Sequence, residues 1–462
     1  METILIQNAK AIVTCDGQDR VFRDADLLIR GPEIVAIGKD LDSKGARVID
    51  GRDRFVYPGL INTHHHFFQT FVRNLVKVDY PNLSVMDWLD VVYQIFQNVN
   101  EEVIYHSTLT ALADLIKHGC TCAFDHQYCY PRHAGKELID RQMDAAGLLG
   151  IRYHGGRGAN DIPMSSGSPI PDSMVETADD FLADCERLIR KFHDPEPFSM
   201  RQIVVAPCQP INGTEELFRE SAALARREGV RLHTHLGEGE TAAMVSRWGK
   251  RTLAWCEEIG FVGEDVWFAH GWELQPDEYR VMARTGTGLS HCPAPAVLGG
   301  YPIIPMQTML REGMSLSLGV DGSATNDGSS LLDSLRMGYL MQTYFAKPNG
   351  GCVTPYEVLK VACTGGARVL GRPDLGSLEP GKAADLFMVD TGVLELSGAL
   401  HDPANMLART GVTGPVWLTM VNGRVIWQDG AFPDIDERSL AARGEAVCDR
   451  VLRQKADVFQ GL

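Results

Sequence analysis

Between residues 57 and 372 the chain alternates short strand-like apolar runs with amphipathic helical stretches, eight times over. The runs end near His66, His126, Arg157, Cys208, His235, His270, His291 and Asp321. Helical patterns such as 101–118, 215–228, 241–259 and 355–370 lie between them. Eight consecutive βα units predict the α/β class and a (β/α)8 TIM-like barrel, whose active site forms at the C-terminal strand ends. A doubly wound open sheet is the alternative, but it does not bring strands one, five, six and eight around one axis.

The two ends are different in style. Residues 1–56 hold short apolar runs separated by turn signals, which predict a small antiparallel sheet. Residues 373–435 repeat the pattern, with Asn422-Gly423 as a strong hairpin signal. The ends are expected to pair into one discontinuous β-sandwich domain, 1–56 plus 373–435, beside a catalytic barrel over 57–372 and a C-terminal helical segment over 436–462. The run Val56-Tyr57-Pro58-Gly59-Leu60-Ile61 reads as one buried strand entering the barrel. The irregular segment 161–171 is too long for a tight βα turn; it is either a cover for the barrel mouth or a plain surface loop.

Composition excludes several classes of function. Asp and Glu number 60 against 44 Lys and Arg, a formal net charge of −16, which repels nucleic-acid polymers but not a neutral nucleobase-sized ligand. Eleven scattered cysteines do not form a disulfide framework and suit a reducing cytoplasm. Cys120 and Cys122 lack zinc-finger spacing and read as small buried hydrophobes. The first eight residues show neither a basic nor a sustained apolar region, so no secretory leader is expected. No apolar stretch approaches the ~20 residues of a membrane helix.

The chemistry is concentrated at the strand ends. In His64-His65-His66 alternate side chains share a strand face, so His64 and His66 present two imidazoles to one point. Strand five ends in His235, strand six in His270 and strand eight in Asp321. Singly, each is weak evidence: strand-end histidines often serve only as hydrogen-bonding groups, and Asp before Gly is a common turn former. Jointly, His64, His66, His235, His270 and Asp321 make a metal-ligand set of imidazoles and a carboxylate, suited to zinc or Fe2+. Glu238, three residues past His235, puts an acid beside that metal. His65 and His233 alternate with ligand positions and are assigned supporting roles.

These motifs resemble the amidohydrolase superfamily in its deaminase branch. The resemblance implies a metal-bearing barrel with a small β-sandwich built from both chain ends. Binuclear members carry a Lys or Glu at the end of strand four, where this chain has Ala206-Pro207-Cys208, so one divalent ion, zinc before iron, is expected. Asn62 to Thr70, Met86-Asp87-Trp88-Leu89, Phe124 to Tyr128 and Gly319 to Gly328 look like the 8-oxoguanine and isocytosine deaminases. Guanine deaminases hold the purine edge with a glutamine that matches Gln69. The loops after strands five, six and seven, including Gly271-Trp272-Glu273, depart from that group and put the heterocycle's identity in doubt.

The expected reaction is hydrolytic deamination of an aminated N-heterocycle, an 8-oxoguanine-like purine, a pterin or a pyrimidine. Metal-activated hydroxide attacks the amino-bearing carbon, Asp321 accepts the proton of the water, and Glu238 protonates the adjacent ring nitrogen. His291 is a candidate to orient the hydroxide or a developing oxyanion. Trp88, His126 and Trp272 are further pocket candidates. Displacement of chloride or an alkylamine from an s-triazine, as in atrazine chlorohydrolase-like enzymes, is the alternative; cyclic-amide hydrolysis is disfavoured by the missing strand-four residue. A non-catalytic scaffold would be expected to lose ligands or the acid, and none is lost. The partner is a small heterocycle, and homo-oligomerisation is expected from the exposed barrel helices.

Overall fold

The computed structural model describes residues 2–75, 83, 85–349 and 351–457. Eight parallel strands run in sequence order around the barrel: Leu60–Asn62, Cys120–Gln127, Arg152–Arg157, Arg201–Val205, Arg231–Leu236, Val266–His270, Gly288–His291 and Ser315–Leu318. Most of their residues are buried, because helices cover the outer face and side chains fill the interior. The first and last strands meet through the Thr63 amide, which donates to the Leu318 carbonyl at 3.2 Å, and the Asp321 amide, which donates to His64 at 3.1 Å. The fold is the expected TIM-like barrel with a second sheet.

The barrel strands are shorter than the apolar runs suggest. Strand one stops at Asn62, strand four at Val205 and strand eight at Leu318, so His64, His66, Cys208 and Asp321 follow their strands. The run from Val56 to Ile61 is not one strand. Arg54–Pro58 belongs to the second sheet, where it pairs antiparallel with Leu386–Asp390, and the barrel begins at Leu60. Pro58 cannot donate a ladder bond. The Gly59 amide then donates to Asp385 and the Leu60 amide to Gly119, each at 3.0 Å, so the chain changes sheets at Gly59. A Cβ at Gly59 would stand 2.0 Å from the Thr121 hydroxyl.

Helix Glu215–Glu228 matches its pattern, with Thr214 capping the Leu217 amide and left-handed Gly229 ending it. The 241–259 pattern is two helices, Thr241–Trp248 and Thr252–Glu258, because Gly249 ends the first turn of chain in the left-handed conformation. The 355–370 pattern is continuous but wound as a π-helical turn over Val361–Gly365.

The second sheet joins Thr3–Val13, Val21–Arg30, Glu33–Gly38, Arg47–Asp50 and Arg54–Pro58 to Leu386–Asp390, Leu418–Val421 and Arg424–Gln428. It is mixed, not antiparallel throughout, since Thr3–Val13 pairs in parallel with both Arg47–Asp50 and Arg54–Pro58. Alternating apolar residues do not distinguish the two ladder types. Asn422 and Gly423 take φ of 50° and 72°, the left-handed pair that a two-residue hairpin needs. Arg152 of barrel strand three is buried against Asp385 at 2.7 Å and fastens the barrel floor to this sheet. Beyond it, helix Glu437–Val447 continues into a π-helical turn, Cys448–Arg453; residues 458–462 of the C-terminal segment lie outside the described residues. Among the described residues, no helix is long and apolar enough to cross a membrane.

Inside the barrel the Thr63 hydroxyl sits 2.7 Å from Ser290 Oγ and 2.8 Å from Ser317 Oγ, all three buried. Thr63→Val keeps the shape and strands the Ser290 hydroxyl, while Ser317 Oγ keeps the Leu289 carbonyl at 3.2 Å. It is expected to lower unfolding free energy by about 1–3 kcal/mol, checked by urea denaturation; an unchanged midpoint would show that the cluster does not brace the closure.

Candidate active site

The barrel's register sets the site. His64 and His66 leave strand one on the loop before the buried turn Phe67–Val72, His235 lies in strand five, His270 closes strand six, and Asp321 follows strand eight. His270 and Asp321 hold φ of +77° and +66°, conformations that side-chain-bearing residues seldom take. Such strain persists where the surroundings over-determine it, which is common at functional sites.

Hydrogen bonds at the outer ring nitrogens determine what the inner ones offer. His66 Nδ1 donates to the His126 carbonyl at 2.9 Å, and His235 Nδ1 to the Cys208 carbonyl at 2.6 Å. Each neutral ring then keeps a bare Nε2 acceptor. Those two Nε2 atoms face each other at 3.1 Å. Two acceptors so close repel unless a cation lies between them, and two nitrogens about 2.0–2.1 Å from a tetrahedral zinc are themselves about 3.3 Å apart. Asp321 Oδ1 is 3.3 Å from His66 Nε2 and 3.4 Å from His64 Nε2. His64 Nε2 and both His270 nitrogens are buried without a hydrogen-bond partner among the described residues. The donor set therefore fits a divalent ion. At the end of strand four, Ala206 and Cys208 supply neither amine nor carboxylate.

Burial pushes the His64, His66, His235 and His270 imidazoles below the ordinary histidine range, which keeps them neutral and available as ligands. Glu238 moves the opposite way: burial first, then the charges of Asp321 and Glu240, raise its carboxyl well above the usual range. Its side chain retains 18% exposure, so solvent moderates the effect, and its Oε1 lies 3.4 Å from His270 Nε2. Glu240 holds the loop that carries it, accepting from the Gly237 and Glu238 amides at 2.7 Å each.

A small pocket opens over this cluster. His66, His235, Glu238 and Asp321 form its floor; Trp88, Leu89, Tyr93 and Tyr128 form an apolar wall; Gln69, Gln209, Asn212 and Thr325 add amides and a hydroxyl. No Lys or Arg is among these lining residues. Gln69 is held by the Ala324 amide and the Tyr128 hydroxyl, each at 3.3 Å. Three candidates stand behind the lining. The His126 ring stacks on His235 at 4.9 Å with Nε2 on the Ala206 carbonyl, and Trp272 is sandwiched between His270 and Tyr301 at 4.4 and 4.3 Å. His291 is fully buried with neither nitrogen hydrogen-bonded among the described residues, and burial takes its imidazole to about 3. Segment 161–171 supplies no lining residue; it packs on the Asn212 loop, where the Ile162 amide reaches the Asn212 carbonyl at 3.4 Å.

Tyr93, Tyr128, Gln209, Asn212 and Thr325 were not singled out from the sequence. Tyr128 carried a usable signal, two residues beyond His126 at a strand end. The others come from a helix and loops with no chemical spacing.

Fold and donor set together define a barrel hydrolase of the metal-dependent kind. Residues 55–426 match the profile of the amidohydrolase family, and the chain belongs to that family. It is 50% identical to hydroxydechloroatrazine ethylaminohydrolase from Pseudomonas sp. (strain ADP), over 98% of this chain and 96% of that protein. It is 34% identical to 8-oxoguanine deaminase from Pseudomonas aeruginosa, over 98% and 100%. The crystal structure of atrazine chlorohydrolase from Arthrobacter aurescens TC1 complexed with zinc superposes with a TM-score of 0.91 at 33% identity, covering 96% of this chain and 100% of that one.

Six imidazoles, His64, His66, His126, His233, His235 and His270, are depressed by burial in the fold. Their stabilising contribution is present above the unfolded value near 6.5 and is lost as pH falls, at up to about 1.4 kcal/mol per unit for each. Glu238, Glu240 and Asp125 are raised, so they contribute below the ordinary carboxylate range and lose that contribution as pH rises. With His65, His154 and His291 also depressed by burial, they are three carboxyls against nine buried imidazoles. The metal-free protein is thus expected to show a lower urea midpoint at pH 5.5 than at pH 7.5; equal midpoints would contradict neutral burial of the cluster.

Proposed function

We propose that this chain hydrolyses an exocyclic C–N bond of an aminated, oxygenated N-heterocycle, releasing ammonia or a small alkylamine. The observation that carries the reading is the close approach of the bare imidazole nitrogens to one another and to Asp321, with Glu238, its carboxyl raised by burial, beside His270. In this reading His64, His66, His235, His270 and Asp321 hold one zinc ion. A zinc ion held there would supply nucleophilic hydroxide at neutral pH, since such ions lower the pKa of bound water to about 7.

The chain's own groups do the rest. Asp321 accepts the proton of the attacking water. Glu238, kept protonated, donates to the ring nitrogen beside the carbon under attack, so negative charge does not build on the ring. Asp321 then passes the proton it took from water to the exocyclic nitrogen, which leaves as the neutral amine while the hydroxyl proton of the adduct goes to the now deprotonated Glu238 as the carbonyl forms. Gln69 and Asn212 offer amides to ring-edge donors and acceptors, while Trp88, Leu89, Tyr93 and Tyr128 cover the ring faces and exclude water. Among the described lining residues none is cationic, which favours a neutral substrate over a carboxylate or phosphate. Eleven unpaired cysteines suit the reducing cytoplasm as the site of action.

The alkylamine arm rests on the ethylaminohydrolase relative and the ammonia arm on the deaminase relative. A panel of 8-oxoguanine, a 2-amino pterin, an N-ethylamino hydroxytriazine and a chlorotriazine separates them by the product released. Ammonia or ethylamine supports the proposal; chloride release alone overturns it in favour of dehalogenation. Glu238→Gln is expected to keep its zinc and lose at least about 100-fold in kcat; a zinc-loaded variant with full activity would remove Glu238 from the mechanism.

A further inference from the structure

Three of the candidate ligands have a hydrogen-bonded outer nitrogen, and they are not alike. His66 and His235 donate from Nδ1 directly to backbone carbonyls. His64 meets another side chain: its Nδ1 lies 3.0 Å from His233 Nε2. His233 Nδ1 in turn lies 3.0 Å from the Trp267 carbonyl, and the Trp267 indole Nε1 donates to the Thr63 carbonyl at 3.1 Å. The chain of bonds begins at His64 and ends on the residue before it. All four side chains are fully buried.

Donor bookkeeping fixes the direction of this circuit. A carbonyl only accepts, so His233 Nδ1 carries a hydrogen and its Nε2 is the acceptor. His64 Nδ1 must then be the donor, which leaves His64 Nε2 bare, on the side where Asp321 lies. The opposite tautomer of His64 would set two bare nitrogens against each other at 3.0 Å and turn an N–H toward the metal point.

We propose that His233 is a positioning residue for the metal: through the Trp267 carbonyl it imposes the Nδ1–H tautomer on His64 and so presents His64 Nε2 as a ligand. The indole bond back to Thr63 fixes the ring planes, coupling strand six to the loop after strand one. His233 touches neither cavity nor substrate, and it acts only through His64. The inference rests on His64 being a ligand.

The test is zinc affinity, measured by chelator competition on purified protein, together with the tautomer of His64 read from long-range 15N–1H correlation on metal-free, histidine-labelled protein. His233→Phe keeps an aromatic ring but removes the acceptor, and is expected to weaken zinc binding by about 10–100-fold. His233→Gln offers a side-chain carbonyl where Nε2 stands and is expected to restore most of that loss. In the wild-type protein His64 is expected as the Nδ1–H form. Wild-type zinc affinity in His233→Phe, equal loss in both variants, or the Nε2–H form of His64 in the wild type would each overturn the proposal. The wild-type tautomer decides even if His233→Phe fails to fold. His64→Ala with undiminished zinc affinity would instead overturn the ligand reading itself, which separates that failure from a failure of the relay.

Discussion

The closure of the barrel and the assembly of the site are one event. The bond from the Asp321 amide to the His64 carbonyl joins the segment after strand eight to the segment after strand one, and both partners are candidate ligands. A two-residue slip of one edge against the other would separate the Asp321 carboxylate from the imidazoles by about 6–7 Å. The hydroxyl cluster of Thr63, Ser290 and Ser317 lies one layer below and pins the same register from inside. Strain at His270 and Asp321 is held in place by this closed frame, which leaves the strand ends little room to relax.

On that frame, burial, helped by neighbouring charges, prepares two opposite kinds of chemistry. It disfavours the charged form of every group it encloses, so it leaves imidazoles unprotonated and a carboxyl protonated within a few ångströms. The first outcome leaves His64, His66, His235 and His270 available as ligands; the second suits Glu238 to the role of acid proposed for it. Outer-nitrogen bonds to the His126 and Cys208 carbonyls then choose which nitrogen points inward. The apolar wall over the cavity completes the site and, in the proposed reaction, limits water where a proton would pass from Glu238 to a ring nitrogen.

Much of this was legible in the sequence because it is periodic or chemically unusual. The eight βα units, the strand-end histidines, Asp321 and the acid three residues past His235 all follow from spacing and residue type. His64 and His66 do converge, although not by strand alternation: strand one ends at Asn62, and the barrel-closing bonds aim the loop instead. The sheet change at Pro58-Gly59 and the parallel pairing of the N-terminal strand were hidden, because an apolar run carries no record of its partner. Trp272 and His126 could not be placed from sequence either, since their positions depend on stacking against His270 and His235. The cavity wall from Tyr93, Asn212 and Thr325 arises from separate loops and helices and has no linear pattern at all.

The central claim is that one metal ion occupies the point shared by these ligands. Anomalous diffraction from zinc-loaded crystals, collected on both sides of the zinc edge, tests it most directly. The account predicts a single peak within bonding distance of His64 Nε2, His66 Nε2, His235 Nε2, a His270 nitrogen and an Asp321 oxygen. Two peaks, or one peak centred on His126 and His233 away from Asp321, would contradict it.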